Sequence, residues 1–475
     1  MPLSISSDAL YRRSPAWAQT LLLNAYGLRI SAYRRGAPYR AAVALLAESE
    51  RWPAERLRAW QDDRLREVVR VAYERSRWYR RVMDEAGVGA ADVRGVADLP
   101  RLPLLDKETV RGRAAELWTK PRPGRSWAHG HTSGTTGSPL SLWYTRNTCV
   151  MNDAVDRRQK AWGGMGERDW IGLLLGRVIV PTDAARPPFW RVNAVHRQVW
   201  FSSFHLSPQH LPRYVDEIRR RGLRFLEGYP STLFILARHL LARGETLPLR
   251  AVFTSSETLH QVQREAMEAA FGCVPFDFYG HAERTLFATE CAAHDGKHLA
   301  EEYGVAEVVD DEGNPVPDGT PGWLVGTSLH NTAMPLLRYR TGDVTAIRRE
   351  PCACGRTLAR IEPVTTKAED IVVTPDGRMI SPSVLTHPFK PYPQIRESQL
   401  VQDRADRLQV KLVAGEAFTA GDEAALVAQL AARLGAGMAV EIERVDSIPR
   451  ERSGKFRWVV SRVEHGCRFA WEAAA

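Results

Sequence analysis

No apolar run in the 475 residues approaches the length of a membrane span, which argues against a helical membrane protein. The N-terminal Leu21-Leu22-Leu23 is crowded by Gln19, Asn24 and Arg29, and no small-residue cleavage site follows, so it makes a poor signal peptide. Cysteine is scarce: Cys149, Cys273, Cys291, Cys352, Cys354 and Cys467 form no dense disulfide framework, and the expected location is cytoplasmic. There is no Gly-x-x-x-x-Gly-Lys-Ser/Thr, so a Walker A phosphate loop is excluded. Gly435-Ala436-Gly437 lacks the third glycine of a dinucleotide fingerprint and follows a helical stretch. No internal repeat is present. The net charge of +9 is mostly an arginine excess. It suits anionic ligands such as ATP, coenzyme A or nucleic acid, and equally an arginine-rich genome.

What is present is a soluble, globular composition with 25% charged and 44% hydrophobic residues. The length predicts at least two domains. Residues 1–115 read helical, with Leu65, Val68, Val69 and Ala72 at helical spacing and Asp106 placed to cap a helix from Lys107. Short buried strands are expected at 171–175 and 250–254, and helices at 214–221, 232–242 and 261–271, the last stopped by Gly272. Such alternation predicts an α/β layered domain. From Tyr303 the pattern turns to β, with strands at 305–310 and 323–328. Beyond about 367, strands at 399–402, 408–413 and 440–445 and a helix at 424–434 make a small α+β unit.

The densest chemical signal is His131-Thr132-Ser133-Gly134-Thr135-Thr136-Gly137-Ser138-Pro139. Glycines let backbone N–H groups turn inward, and the hydroxyls beside them add donors, which suits a polyphosphate. A polar surface loop would have the same composition. Four further stretches weigh on that choice. Tyr279-Gly280-His281-Ala282-Glu283 follows a strand expected at 274–278. Its aromatic ring can lie on a purine, and its carboxylate can hold a divalent cation. Arg338-Tyr339-Arg340-Thr341-Gly342-Asp343 sets a carboxylate after a glycine turn, able to accept from ribose hydroxyls. Lys367-Ala368-Glu369-Asp370 lies at the boundary between the units, and Ser453-Gly454-Lys455 puts a lysine behind a flexible glycine.

Together with Cys352-Ala353-Cys354-Gly355-Arg356 and Glu227-Gly228-Tyr229-Pro230-Ser231, these stretches resemble the adenylate-forming superfamily, and within it the phenylacetate-CoA ligase and CapK-like branch. The resemblance runs over nearly the whole chain. It implies an α/β fold with a large multilayered N-terminal domain, residues 1–366, and a small mobile α+β C-terminal domain, residues 367–475. It implies activation of a carboxylic acid by ATP as an acyl-adenylate, release of pyrophosphate, and transfer to coenzyme A. The acceptor could instead be an amine or an alcohol, or the enzyme could be an amide or nucleotidyl-transferring synthetase that works without coenzyme A. A degenerate ligase fold serving as a zinc-containing nucleic-acid binder is a third reading, disfavoured by the intact Glu283, Asp343 and Lys455.

Carried onto this chain, the resemblance gives Thr132, Ser133, Gly134, Thr135, Thr136 and Gly137 the ATP phosphates. Tyr279 and Gly280 go to adenine, Asp343 to the ribose, Glu283 to Mg²⁺, and Lys455 to the carboxylate and α-phosphate. Gly377, in Asp376-Gly377-Arg378, would approach the second substrate. The chain departs from relatives at the hinge, where Thr366-Lys367-Ala368-Glu369-Asp370 lacks the usual glycine. Cys291-x-x-His294 with Cys352-x-Cys354 predicts a structural Zn²⁺ site, with His298 as a competing ligand. Trp143, Tyr144, Phe201, Tyr229 and Ser255-Ser256-Glu257 stand where relatives build the acyl pocket; core packing is the competing role for each.

Overall fold

The computed structural model describes residues 11, 13–124, 126–131, 140–364, 372–380, 385–389, 391–392, 394–435, 437–448 and 458–463. The glycine loop 132–139, the hinge at 365–371 with the expected 366/367 boundary, and Lys455 lie outside them.

The chain opens with helices α1 (Ala16–Arg34), α2 (Ala37–Ser49), α3 (Ala54–Arg75) and α4 (Arg77–Glu85). Along α3 the buried residues Leu57, Gln61, Leu65, Val68, Val69 and Ala72 recur at helical spacing. Asp106 caps α5 (Lys107–Gly112) by accepting from the Thr109 N–H at 2.6 Å. A two-stranded ribbon, β1 (Ala128–His131) with β2 (Ser141–Tyr144), brackets the glycine loop. Helix α6 (Arg146–Trp162) follows, capped by Thr145.

Among the described residues the central sheet has ten strands. Its parallel middle holds β3 (Ile171–Leu174), β6 (Phe225–Gly228), β7 (Ala251–Ser255) and β8 (Phe276–Gly280). On one side β5 (Gln198–Phe201) runs parallel to β3, and β4 (Trp190–Asn193) closes that edge antiparallel. On the other side come the antiparallel β9 (Phe287–Thr289), β10 (Lys297–Leu299), β15 (Arg360–Ile361) and β14 (Ile347–Arg348). Strands β3, β6 and β7 are buried at every position, as parallel strands covered on both faces must be. The cover includes α7 (Leu211–Arg220), α8 (Pro230–Ala242) and α9 (Gln261–Phe271), whose residues share the core of these strands. Gly272, at φ +69, ends α9 in the left-handed conformation its sequence position predicts.

A second sheet orders β11 (Gly304–Val309), β12 (Gly322–Ser328) and β13 (Tyr339–Thr345) antiparallel. Toward the C-terminus a hairpin, β16 (Val372–Val373) with β17 (Met379–Ile380), precedes a four-stranded sheet. That sheet orders β20 (Ala439–Arg444), β19 (Arg407–Ala414), β18 (Ile395–Arg404) and β21 (Val459–Ser461). Helix α10 (Ala420–Leu434) packs on it through Leu426, Leu430 and Leu434. Phe204, from the loop after β5, is fully buried in this C-terminal core. Its carbonyl accepts from Arg378 Nη1 at 2.8 Å. No described helix is long and apolar enough to cross a membrane.

Candidate active site

Strand β8 ends the parallel run, and the chain turns back into β9 through His281-Ala282-Glu283. This turn faces β13 of the second sheet. The Tyr279 hydroxyl donates to Asp343 Oδ2 at 2.7 Å, and the Tyr339 hydroxyl donates to Glu283 Oε1 at 2.7 Å. Two tyrosine–carboxylate bonds therefore join the two sheets, one tyrosine from each side. The sequence motifs around residues 279–283 and 338–343 meet here in space, placing Tyr279, Gly280, Glu283 and Asp343 in one cluster.

The two carboxylates differ in charge preference. Burial alone would push Glu283 up, but the His281 bond at 3.2 Å, the His281 and Lys107 charges and the Tyr339 hydroxyl outweigh it and hold its carboxyl at about 2. Asp343 moves the other way: burial raises it, against the Tyr279 bond, and the neighbouring Glu283 charge raises it further. A carboxyl held low favours the ionised Glu283 that a divalent cation needs, and an Asp343 that accepts hydrogen bonds suits neutral hydroxyls.

Three contributors were not assigned to this site from sequence. Lys107 acts on both carboxylates, because Leu105 pairs with Tyr339 alongside β13 and brings the start of α5 to the cluster. His281 bridges Glu283 and the Thr285 hydroxyl, the latter at 3.2 Å. Tyr339 is the third: the sequence motif carries it, but only its place on β13 opposite Glu283 gives its hydroxyl a role. The signal for Lys107 was the Asp106 cap, which fixes where α5 begins but not what its first side chain faces.

Gly377 sits in the turn of the β16–β17 hairpin at φ +77, where a Cβ would lie 3.7 Å from Pro208 Cδ. The turn thus docks on the 202–208 loop. Arg378 clamps it there, reaching the Phe204 carbonyl, Asp376 and the carbonyls at the end of α10. Of the residues proposed for an acyl pocket, Phe201 is core, with its ring 5.6 Å from that of Tyr214. Trp143 stacks on His129 at 4.3 Å. Tyr144 is buried with its hydroxyl on the Ala282 carbonyl. Tyr229 packs against the C-terminal core, and Glu257 accepts from the Ser231 N–H at 3.0 Å at the start of α8.

The metal ligand set needs one correction. Cys291, Cys352 and Cys354 come together, but with His298, not His294, and their ligand atoms lie within 4.8 Å of one another. His294 sits in a turn at φ +47 and directs Nδ1 to Glu290 Oε2 at 2.9 Å. His298 lies on β10, between β9 and β15, and points inward. The Cys291 and Cys352 sulfurs are 3.8 Å apart, and Cys354 Sγ is 3.4 Å from His298 Nε2. A tetrahedron with Zn–S of about 2.3 Å and Zn–N of about 2.0–2.1 Å needs separations of about 3.8 and 3.6 Å. His298 Nδ1 lies 2.9 Å from the Leu358 carbonyl, the second contact that leaves Nε2 as the ligand. Burial holds its imidazole down at about 4, against that carbonyl bond, so it is neutral.

The model of the CapK C-terminal domain matches residues 372–462. Over 349 residues the chain is 32% identical to a phenylacetate-coenzyme A ligase of Thermus thermophilus, covering 69% of this chain and 74% of that one. It is 25% identical over 467 residues to protein CapK of Staphylococcus aureus, covering 96% and 99%. In fold it is similar to a 2-hydroxyisobutyryl-CoA ligase solved with 2-HIB-AMP and CoA, at TM-score 0.57 and 21% identity, covering 88% of this chain and 92% of that one.

Proposed function

The chain belongs to the phenylacetate-CoA ligase and CapK branch of the adenylate-forming enzymes, and from that premise we propose that it activates a carboxylic acid with ATP and transfers the acyl group to coenzyme A. The observation that carries the reading is the crossed pair Tyr279–Asp343 and Tyr339–Glu283, which gathers two tyrosines and two carboxylates at one sheet junction, groups we assign to the nucleoside and to Mg²⁺.

In the first step a substrate carboxylate oxygen attacks the α-phosphorus of ATP, and the bond to the leaving pyrophosphate breaks. Tyr279 offers its ring to the adenine, with Gly280 beside it. Asp343, with one oxygen on Tyr279, has acceptor capacity for a ribose hydroxyl at the other. Two anions must meet, so positive charge and N–H donors decide the rate. We assign the donors to the loop from Thr132 to Gly137 and a positive charge to Lys455. Glu283, buried and ionised, fits Mg²⁺, which when bound would neutralise phosphate charge. In the second step the coenzyme A sulfur attacks the acyl carbon and AMP leaves. Gly377 and its turn, docked on the 202–208 loop, are the elements we assign to that acceptor's approach.

Cys291, His298, Cys352 and Cys354 fit Zn²⁺ with four protein ligands and no open position, so its role is structural. It would tie the ends of β9, β10 and the 349–359 loop together at one side of the central sheet. The acid is proposed only as an aromatic or otherwise apolar carboxylate.

ATP–pyrophosphate exchange across a panel of carboxylic acids, followed by coenzyme A or amines, tests the reading. Exchange should depend on one acid class, and Glu283→Gln should lower it by roughly 10²–10³-fold. Exchange with no acid in the panel, or a variant as active as the parent, refutes it.

A further inference from the structure

The buried residues of helix α1 are Gln19, Leu23 and Gly27; Leu23 joins the core of the central sheet, and polar side chains tie the helix to the edge strand β4. Asn24 Nδ2 donates to the Val192 carbonyl and its Oδ1 accepts from the Ala194 N–H, both at 2.8 Å. Arg191 Nε donates to Gln19 Oε1 at 2.7 Å. Gly27 lies so close to Asn193 that a Cβ would stand 2.9 Å from Oδ1. The outward face carries the large apolar groups: Trp17 is 69% exposed, Leu21 61%, Leu28 61% and Leu22 40%. Among the described residues these are four of the six exposed large hydrophobics. On a helix of 3.6 residues per turn, Trp17, Leu21, Ala25, Leu28 and Ala32 span about 80° of the circumference, with Leu22 and Arg29 along one border. Exposed apolar surface this concentrated marks an interaction face.

The charge around it identifies the partner. Residues 11–47 contain no aspartate or glutamate and six arginines, at positions 12, 13, 29, 34, 35 and 40. Arg13, Arg29, Arg35 and Arg40 are exposed. Arg34 is answered by Asp153 of α6 at 3.1 Å, but a second copy packed on this face by a two-fold axis would set the exposed arginines of the segment against one another. An anionic lipid surface answers both features. Tryptophan and leucine enter the headgroup–acyl boundary, and arginines beside them meet phosphates.

We propose that α1 is a peripheral membrane-docking helix. It lies flat on an anionic bilayer with Trp17, Leu21 and Leu28 inserted and Arg29 at the headgroups. The helix is already folded against β4, so docking costs little ordering, and the site described above stays on the molecule's own sheets.

Co-sedimentation of the full chain with phosphatidylglycerol–phosphatidylcholine vesicles, and with phosphatidylcholine vesicles alone, tests this. Binding should need the anionic lipid and weaken with added salt. Arg29→Gln should weaken it about fivefold, the worth of one basic group at such a surface. The pair Leu21→Glu and Leu28→Glu should abolish it, with ATP–pyrophosphate exchange in solution unchanged. Parent protein that stays in the supernatant with anionic vesicles at low salt overturns the proposal. So does a glutamate pair that binds like the parent. A dimer in sedimentation equilibrium that the same pair dissociates overturns it in favour of self-association.

Discussion

Replacing His298 by alanine separates the two histidines that compete for the thiol cluster. The geometry sets the size of the effect. Structural zinc in small peptides is held by about 10–16 kcal/mol at neutral pH. Shared over four ligands, one imidazole accounts for roughly 3 kcal/mol, or about a hundredfold in affinity. His298→Ala should therefore lose zinc to a chelator at about a hundredth of the concentration that strips the parent protein. Its melting temperature in zinc-buffered solution should fall accordingly, because a ligand bound only to the folded state stabilises it by mass action. His294→Ala should keep the full complement of metal, since its imidazole serves Glu290 and lies outside the cluster. Elemental analysis and chelator titration of both variants, with Cys352→Ser as the companion, read the outcome. Metal lost from His294→Ala and kept by His298→Ala would refute the ligand set. No stoichiometric metal in the untagged parent would refute the site.

Tyr339→Phe removes the hydroxyl that helps hold Glu283 at about 2 and should raise that carboxyl toward its ordinary 4.5. A depressed carboxylate stabilises the fold fully above about 4.5 and loses that contribution as pH falls through about 2; in the variant the loss still begins near 4.5, but the contribution is smaller and is exhausted at a higher pH. The acid limb of pyrophosphate exchange, followed beside the melting temperature, should move with it, and an unmoved limb in a folded variant excludes the coupling. Lys455→Ala should lower adenylation by roughly 10²–10³-fold while still consuming preformed acyl-adenylate. Equal loss of both half-reactions would show that the small domain does not alternate.

The chemistry-bearing stretches were legible because each is local. A glycine turn before Asp343, an aromatic-glycine pair before Glu283 and a glycine at the end of α9 follow from backbone constraints acting over a few residues. The parallel strands β3 and β7 were legible as short, mostly apolar runs, whereas β6 was not, because Glu227 and Gly228 interrupt its apolar pattern although every position is buried. Helix α6 was not singled out, because Thr148, Arg158 and Gln159 lie buried among its apolar residues and blur the amphipathic pattern. Strands β9, β10, β14 and β15 run two or three residues, too few for a period of two to show.

The sequence by itself determined which kinds of side chain are available and which backbone turns carry them. Only the tertiary structure decided which of them meet. Spacing favoured His294 as the partner of Cys291, but a left-handed turn sends that ring to Glu290, while strand pairing carries His298 inward to the sulfurs. The same holds for Lys107, brought to Glu283 and Asp343 by the pairing of Leu105 with Tyr339 from more than 230 positions away. It holds for α1, where Leu23 enters the core while Trp17, Leu21 and Leu28 of the same helix stay exposed. Periodicity fixes the faces of an element, but the register of its neighbours fixes which face turns inward, and that register is set by residues far away in the chain.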